Sequence, residues 1–247
     1  MDVVSEAGQY LPEQSQGARK KLYSTLRVII RPPFMLNLDA ATILSRIIIL
    51  VIAFTVHEFA HAFVANAFGD DTPRLNGRLT LNPISHLDPM GSLLLVVAGF
   101  GWAKPVPINP YALKQRSRSA VMWVSLAGPL SNLVMAIVAI LPVRFGLVSL
   151  YSAPGGILPS PIEFIVEFVS INLLLFVFNL LPISPLDGEK VIEFFIPASA
   201  TAFFDRIRPY GPMILLVVVF VLPYLGINVI GEMLQFIARI FFSVFLG

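Results

Sequence analysis

Four long apolar stretches constrain this chain more than any other feature of its sequence. A membrane-spanning helix needs about 20 mostly apolar residues, and residues 41–68, 119–143, 162–182 and 211–231 each provide such a length. The composition agrees, because 56% of the residues are hydrophobic, 13% are charged and the mean hydropathy is +0.81. A soluble domain carries about 25% charged residues. The sequence therefore predicts an all-α polytopic membrane protein.

Two further apolar segments are ambiguous. Residues 90–102, "MGSLLLVVAGFGW", are too short to cross a bilayer and favour a re-entrant segment. Residues 232–246 carry a polar stripe at helical spacing, which favours an amphipathic helix at the interface or against the bundle over a full span. The stripe consists of Glu232, Gln235, Arg239 and Ser243.

Composition also excludes several kinds of function. The chain has no cysteine, which removes disulfides, thiol nucleophiles and Cys-ligated metals. Its net charge of +2 gives no argument for binding nucleic acid. The first 18 residues are polar and show no signal peptide.

The positions of the polar tail and of the apolar stretches divide the chain into two parts. Residues 1–38 form an N-terminal tail with a basic amphipathic segment. Residues 39–247 form a single membrane domain with its core at about 41–195.

The distribution of basic residues predicts an orientation. Residues 69–118 hold six Lys or Arg and residues 183–210 hold three, which favours the cytoplasmic side for both loops. The segment before the first span, "ARKKLYSTLRVIIRPP", holds five more and argues for the opposite orientation. We give the loops more weight, because the N-terminal segment can lie along the membrane as an amphipathic helix.

The end of the first apolar stretch carries a concentration of ionisable groups, "TVHEFAHAF". His57 and His61 are four residues apart, so they share one helix face and can bind one zinc ion. Glu58 lies about 100° around the helix, where its carboxylate reaches a metal-activated water as a general base. Ionisable groups at the centre of a membrane helix cost about 2.5–3.5 kcal/mol each. A metal site explains why the chain keeps three of them there.

Catalytic zinc usually has three protein ligands, so a third ligand is needed. The candidates are His86, in "NPISHLDPMG", and acids near apolar segments, among which Asp187 stands out. Pro182 and Pro185 predict irregular backbone before Asp187, and Gly188 gives the chain freedom to turn after it. The alternative is that Asp187 is only the N-cap of the following helix.

These motifs together resemble the site-2 protease family of intramembrane zinc metalloproteases, in its small bacterial and archaeal branch. The similarity rests on HEFAH and "FNLLPISPLDG", and extends through "FGDDTPRLNGRLTLNPISHLDPMGSLLL", "GWAKPVPINP" and "LAGPLSNL". It implies a three-helix catalytic core, one zinc held by His57, His61 and Asp187, and Glu58 activating water. It also implies single-pass membrane proteins as substrates, cut within or near their spans. The PDZ and CBS modules of some relatives are missing from the sequence.

Other residues have predicted supporting roles. Residues 78–82 and 101–109 are assigned to a small membrane-associated β-hairpin, whose edge, including Gly101 and Pro105, could hold an unwound substrate. The alternative is an ordinary proline-rich loop.

Two polar side chains, Asn179 near the break and His86 in the loop, are open to more than one role. Asn179, one turn before the break, could steady the substrate backbone or only bond another helix. Asn132 and Asn172 are assigned structural roles. His86 could donate to an oxyanion, act as a fourth ligand that keeps the enzyme latent, or be an ordinary turn residue.

Two other classes of function compete with a protease. A catalytically inactive scaffold of the same fold is disfavoured because Glu58 is intact. A metal or proton transporter would spread its acids and histidines along a path, whereas here they converge on one level. The sequence does not define the substrate, the trigger for cleavage or the oligomeric state.

Overall fold

The computed structural model describes residues 40–91, 101–149 and 159–246 of the chain. Over these ranges it contains helices, turns and one isolated β-bridge, without a strand ladder. The α-helices are α1 Ala40–Ala67, α2 Thr72–Leu75, α3 Pro110–Arg116, α4 Ala120–Arg144, α5 Pro161–Asn179, α6 Asp187–Phe195, α7 Ala198–Ile207, α8 Gly211–Leu216, α9 Leu222–Tyr224 and α10 Val229–Leu246.

Five helical stretches are long and apolar enough to cross a membrane. They are Ile43–Ala67 of α1, all of α4, all of α5, the run Ser199–Tyr224, and α10. The run Ser199–Tyr224 joins α7, α8 and α9 through the 3₁₀ turn Arg208–Tyr210 and the π-helical turn Val217–Val221. The prediction of an all-α polytopic membrane protein is confirmed.

Helix α4 lies between α1 and α5 and packs against both. Helices α1 and α4 are antiparallel, since His61 contacts Val124 and the earlier residue His57 contacts the later residue Asn132. Helices α1 and α5 run parallel, because an early residue of α1, Arg46, pairs with an early residue of α5. The C-terminal end of α1 therefore meets the N-terminal half of α4 and the C-terminal end of α5.

A buried ion pair joins the other ends of α1 and α5. Arg46 Nε lies 2.6 Å from Glu167 Oε1, and both side chains are about nine-tenths buried. Glu167 therefore lies inside the bundle, where the guanidinium of Arg46 on α1 pairs with its carboxylate. Glu163, one turn earlier, forms a capping box with Ser160 at the start of α5.

Helix α10 packs on α5 and α4. Its buried face joins α4 and α5 in the largest hydrophobic cluster, to which it contributes Leu234, Ala238, Phe241 and Phe242. Residues 232–246 thus form a helix against the bundle, one of the two arrangements predicted for them. The predicted single span 211–231 is wrong in its end, because the helix stops at Tyr224 and Gly226, at φ +85°, turns the chain. Asn228 then caps α10 by accepting from Gly231 N at 3.0 Å.

Two buried charged residues hold the loop between α1 and α3. Asp70 accepts from Thr72 N at 3.0 Å and from Asn109 N at 2.6 Å, which ties the end of α1 to the start of α3. Arg78 donates to Ser85 O at 2.6 Å and to Lys104 O. Burial lowers the pKa of Arg78, while the nearby carboxylate of Glu58 opposes that shift.

The predicted hairpin between 78–82 and 101–109 does not form as a ladder in the described residues. One antiparallel bridge, Leu87 to Ala103, takes its place, beside a hydrogen bond from Lys104 N to His86 O at 2.8 Å. Pro105 and Pro107 lack the N–H groups that would extend the pairing. Side chains hold residues 78–82 in place instead. Arg78 donates to Ser85 O, and His86 Nε2 donates to the carbonyl of Thr80.

Two predicted segments fall wholly or largely outside the described residues. The N-terminal tail, 1–38, is one of them, and residues 92–100 of the predicted re-entrant segment are the other. The two described ends of that segment touch, because a Cβ on Gly91 would lie 2.2 Å from Trp102 O.

Candidate metal centre

Three ligand-type atoms converge where α1 meets the chain between α5 and α6. His57 Nε2 and His61 Nε2 are 3.1 Å apart, and each lies 3.2 Å from Asp187 Oδ2. The histidines share one face of α1, since they stand one turn apart, and both are less than 9% exposed. Within the part of the chain that the structure describes, this is the group of His and acidic side chains that could hold a metal ion.

The other ring nitrogens of the two histidines are already occupied. His61 Nδ1 lies 2.7 Å from Val124 O, and His57 Nδ1 lies 2.6 Å from Asn132 Oδ1. A carbonyl oxygen only accepts, so the Nδ1 atoms are the donors, and in the neutral imidazoles that bind a metal each Nε2 keeps its lone pair. Two lone pairs and a carboxylate oxygen at 3.1–3.2 Å repel one another unless a cation lies between them.

Gly128 on α4 makes room for the histidine pair. A Cβ at this position would lie 2.3 Å from His61 Nε2 and 2.5 Å from His57 Nε2, well inside contact distance. The position therefore requires glycine, because a side chain here would enter the space of the two imidazole rings. The wall of the site opposite the histidines is therefore bare backbone.

The backbone delivers Asp187 through an irregular turn. Irregular backbone was predicted for residues 183–187 from Pro182 and Pro185. The non-helical segment is residues 180–186, because α5 ends at Asn179 and α6 begins at Asp187 itself. Leu186 is the N-cap of α6 and no side chain caps it, so the reading of Asp187 as a simple N-cap is wrong. The carboxylate of Asp187 is largely buried, and its Oδ2 lies 3.2 Å from the Nε2 atoms of both His57 and His61.

Gly188 has a different task from the one predicted. The sequence suggested conformational freedom, yet what the position requires is closeness, because a Cβ here would lie 2.3 Å from Leu180 O and 2.4 Å from Leu181 O. The first turn of α6 therefore packs directly on the end of α5. This contact brings the carboxylate of Asp187 back toward α1.

The donor set fits zinc. Tetrahedral zinc with ligands at about 2.0–2.1 Å places those ligands about 3.3 Å from one another, close to the 3.1–3.2 Å sides of this triangle. Two imidazole nitrogens and one carboxylate oxygen are also a ligand set of catalytic zinc, which leaves a fourth position for water. His57, His61 and Asp187 are the residues that would hold the metal.

Glu58 lies beside this group without belonging to it. Its side chain is 8% exposed, and its charge acts on both His61 and Arg78. Among the described residues, none donates a hydrogen bond to its carboxylate. The carboxylate thus lies near the three residues that could hold a metal.

The remaining predicted site residues lie outside the metal-binding group. His86 is fully buried and donates from Nε2 to Thr80 O at 2.7 Å, while its Nδ1 has no partner in the described structure. Asn179 donates to Leu175 O at 3.0 Å within its own helix. Gly101 is half-buried and Pro105 is exposed, in the extended segment before α3. Their proposed roles toward a substrate stay predictions.

Sequence reasoning underestimated Asn132. Its Oδ1 accepts from His57, and its Nδ2 donates to Asn172 Oδ1 at 3.0 Å. Metal-binding histidines almost always donate their second N–H to such a partner, which fixes the ring. A signal was available, because an amide inside an apolar helix must find a polar partner, but nothing in the sequence identified that partner as a histidine.

Comparison with known proteins gives relatives but no fold template. No model of a protein family matches the chain, and no solved structure matches it. The protein named "Putative zinc metalloprotease YwhC", from Bacillus subtilis (strain 168), is 45% identical over 193 residues, which are 76% of this chain and 85% of that protein.

Proteins named "Putative zinc metalloprotease Rip2" are more distant. The one from Mycolicibacterium smegmatis is 38% identical over 60% of this chain and 57% of its own length. The one from Mycobacterium tuberculosis (strain H37Rv) is 34% identical over 58% of this chain and 54% of its own length. Since the match to YwhC extends over most of both proteins, this chain belongs to the zinc metalloprotease family of which YwhC is a member.

Proposed function

We propose that this protein is an intramembrane zinc-dependent endopeptidase of the site-2 protease type. Its substrates are single-pass membrane proteins, which it cuts within or near their spans in the cell membrane. The observation that carries the proposal is the convergence of His57, His61 and Asp187 at the ends of helices that are apolar enough to cross a membrane. The membrane setting of the donor set favours a substrate that is itself in the membrane.

Each residue has a defined task in hydrolysis. Zinc, when bound, lowers the pKa of water to about 7 and polarises the scissile carbonyl. Glu58 accepts the proton of the attacking water on its carboxylate and later gives it to the leaving amine nitrogen. Asp187 and the two histidines keep their positions through Gly188, Asn132 and Val124.

The active site is proposed to lie near the cytoplasmic side. The cluster sits where α1 ends and α6 begins, next to loops 69–118 and 183–210, which carry most of the basic residues outside the N-terminal segment. Water has a short path to a site at the end of a helix. Holding of an unwound substrate by the segment that contains Gly101 and Pro105, and support from Asn179 and His86, belong to the same proposal.

Zinc content tests the ligands separately from catalysis. The purified wild type is expected to hold one zinc per chain, and His57→Ala, His61→Ala and Asp187→Ala are expected to lose it. Glu58→Gln should keep the zinc, because Glu58 acts on water and not on the metal. Full zinc occupancy in Asp187→Ala would show that the third ligand is wrong.

Cleavage tests the reaction. Wild type and Glu58→Gln are expressed with a panel of single-pass membrane proteins and, as a control, with soluble proteins of similar sequence composition. A substrate should be cut within or next to its span by the wild type and left whole by Glu58→Gln. Turnover by Glu58→Gln near the wild-type level would remove the general-base role, and zinc flux without cleavage would favour a transporter.

A further inference from the structure

A line of hydrogen bonds leads from His57 across all three core helices. His57 Nδ1 on α1 contacts Asn132 Oδ1 on α4 at 2.6 Å, and Asn132 Nδ2 donates to Asn172 Oδ1 on α5 at 3.0 Å. Asn172 Nδ2 then donates to the backbone carbonyl of Phe168 at 2.9 Å. The line contains no ionisable group other than the histidine, and both amides are fully buried.

The far end of this line determines the direction of every bond in it. Phe168 O can only accept, so Asn172 must present its NH₂ group there and its oxygen to Asn132. Asn132 must then present its own NH₂ group to Asn172 and its oxygen to His57. That oxygen can only accept, so the neutral imidazole of His57 carries its proton on Nδ1 and keeps the Nε2 lone pair toward Asp187.

We infer that Asn172, which does not touch His57, sets the tautomer of this histidine through Asn132 and so prepares Nε2 to bind the metal. Asn132 and Asn172 are positioning residues in this scheme. The inference rests on the proposed metal site and extends it, by explaining why two amides are placed inside a bundle that is otherwise apolar. Reversal of the line would turn the proton of His57 toward Asp187 and block the ligand atom.

Burial makes this control strict. Both amides are 0% exposed, so a reversed amide has no access to bulk solvent for a replacement partner. If Asn132 were reversed, its NH₂ group would face His57. Its oxygen would then face the side-chain oxygen of Asn172 between α4 and α5. An unsatisfied or mismatched buried polar group is strongly disfavoured, so one direction prevails as long as Asn172 can donate to Phe168.

Zinc affinity is the first test. Affinity is measured by chelator competition on purified protein for Asn172→Leu, for Asn132→Leu and for Ser170→Ala as matched control. Ser170 is on the same helix, is 5% exposed and donates to Val166 O at 2.7 Å, but has no bond to the line. Asn172→Leu and Asn132→Leu are expected to weaken zinc binding about 10- to 100-fold, and Ser170→Ala is expected to match the wild type.

The tautomer is the second test and needs no metal. The chain has three histidines, so selective ¹⁵N labelling gives a spectrum in which the ring nitrogens of His57 can be assigned. In metal-free wild type at alkaline pH, His57 should carry its proton on Nδ1. In Asn172→Leu a second population, protonated on Nε2, should appear, while Ser170→Ala should show the wild-type pattern.

The variant Asn172→Asp guards against a general loss of folding. It keeps an oxygen toward Asn132 and so should retain most of the zinc affinity that Asn172→Leu loses. Equal losses in both variants, or wild-type affinity and tautomer in Asn172→Leu, would overturn the inference. If the wild type binds no zinc while the tautomer still responds to Asn172→Leu, the proposed function fails and the control of the tautomer stands.

Discussion

The two nitrogens of each site histidine have separate tasks. Nδ1 of His61 donates to a backbone carbonyl and Nδ1 of His57 donates to an amide oxygen, so both Nε2 atoms face Asp187. A backbone carbonyl cannot be mutated away, whereas an amide can. The orientation of His61 is therefore a property of the path of α4, and that of His57 depends on side chains.

Gly128→Ala is the sharpest test of the shape of this site. The added methyl group would lie 2.3 Å from His61 Nε2 and 2.5 Å from His57 Nε2, so the rings must move off the metal position. We expect loss of zinc, measured as metal content after purification, with a stability cost of about 1–3 kcal/mol from overpacking. Val134→Ala, at a 56% exposed position of the same helix, is the control, and full zinc content in Gly128→Ala would contradict the geometry.

Some residues of the candidate site can be predicted from the sequence alone, and others cannot. His57 and His61 are predictable because their contact follows from helical spacing alone. Asp187 depends on a contact 126 positions beyond His61, so the residues left it open until a family resemblance suggested it. Asn132 was read as structural, since no local pattern shows that α4 crosses α1 at His57.

At the scale of the helices, the buried pair Arg46–Glu167 joins α1 to α5 at the end away from the metal site. Its bond of 2.6 Å lies inside the bundle, where it holds the two parallel helices at a fixed register. The same two helices carry, at or beyond their other ends, the three residues that could hold a metal ion. The position of α1 along α5, which this pair fixes at one end, therefore helps to set the distances between His57, His61 and Asp187 at the other end.

Arg46→Met should destabilise the bundle strongly. It leaves the carboxylate of Glu167 without the guanidinium, and breaking a buried pair costs about 3–5 kcal/mol. The double variant Arg46→Met/Glu167→Leu should recover much of this loss, because both charges are then gone. Thermal unfolding in detergent measures the stability of both variants. A double variant as unstable as Arg46→Met would show that the unpaired charge of Glu167 is not the cause of the loss.

The contacts of Arg78 predict that its replacement loosens a loop and leaves the helices in place. Arg78→Met removes the donors to Ser85 O and Lys104 O, so the loop between α1 and α3 should become more sensitive to limited proteolysis. Arg74→Met is the matched control, because Arg74 is exposed and pairs with neighbouring Asp71. Equal cleavage of both variants would show that Arg78 does not hold the loop.

Element boundaries were less predictable than the elements. Hydropathy located α1, α4 and α5 within a few residues, since lipid selects for long apolar runs. It also joined residues 211–231 into one span, because Gly226 and Asn228 are too few polar signals to interrupt an apolar average. The hairpin failed for another reason, since side chains and not strand pairing hold residues 78–82.

At the scale of the whole molecule, the fold fixes which loops share a side. Helices α1 and α5 run parallel and α4 returns between them, so the loops after α1 and after α5 lie together, and the loop after α4 lies opposite. The sequence predicted from its basic residues that loops 69–118 and 183–210 share one side. It did not place α10 against α4 and α5, because apolar faces that fit each other are recognised only when both are folded.

Single cysteines can test this arrangement without background, since the chain has none of its own. Leu75→Cys and Leu147→Cys are both at positions 78% exposed, one after α1 and one after α4. A membrane-impermeant maleimide should label Leu75→Cys from the cytoplasmic face and Leu147→Cys from the opposite face. Labelling of both from one face would contradict the number of crossings, and reversed labelling would contradict the orientation.

The separation of the ligands along the chain has a consequence for biogenesis. His57 and His61 leave the ribosome long before Asp187, which follows two further crossings. A nascent chain that has inserted only α1 and α4 offers two imidazoles without the carboxylate of Asp187, so we expect it to hold zinc weakly. On the proposed function, the three residues that would hold the metal therefore come together only after the chain that follows α5 has been made.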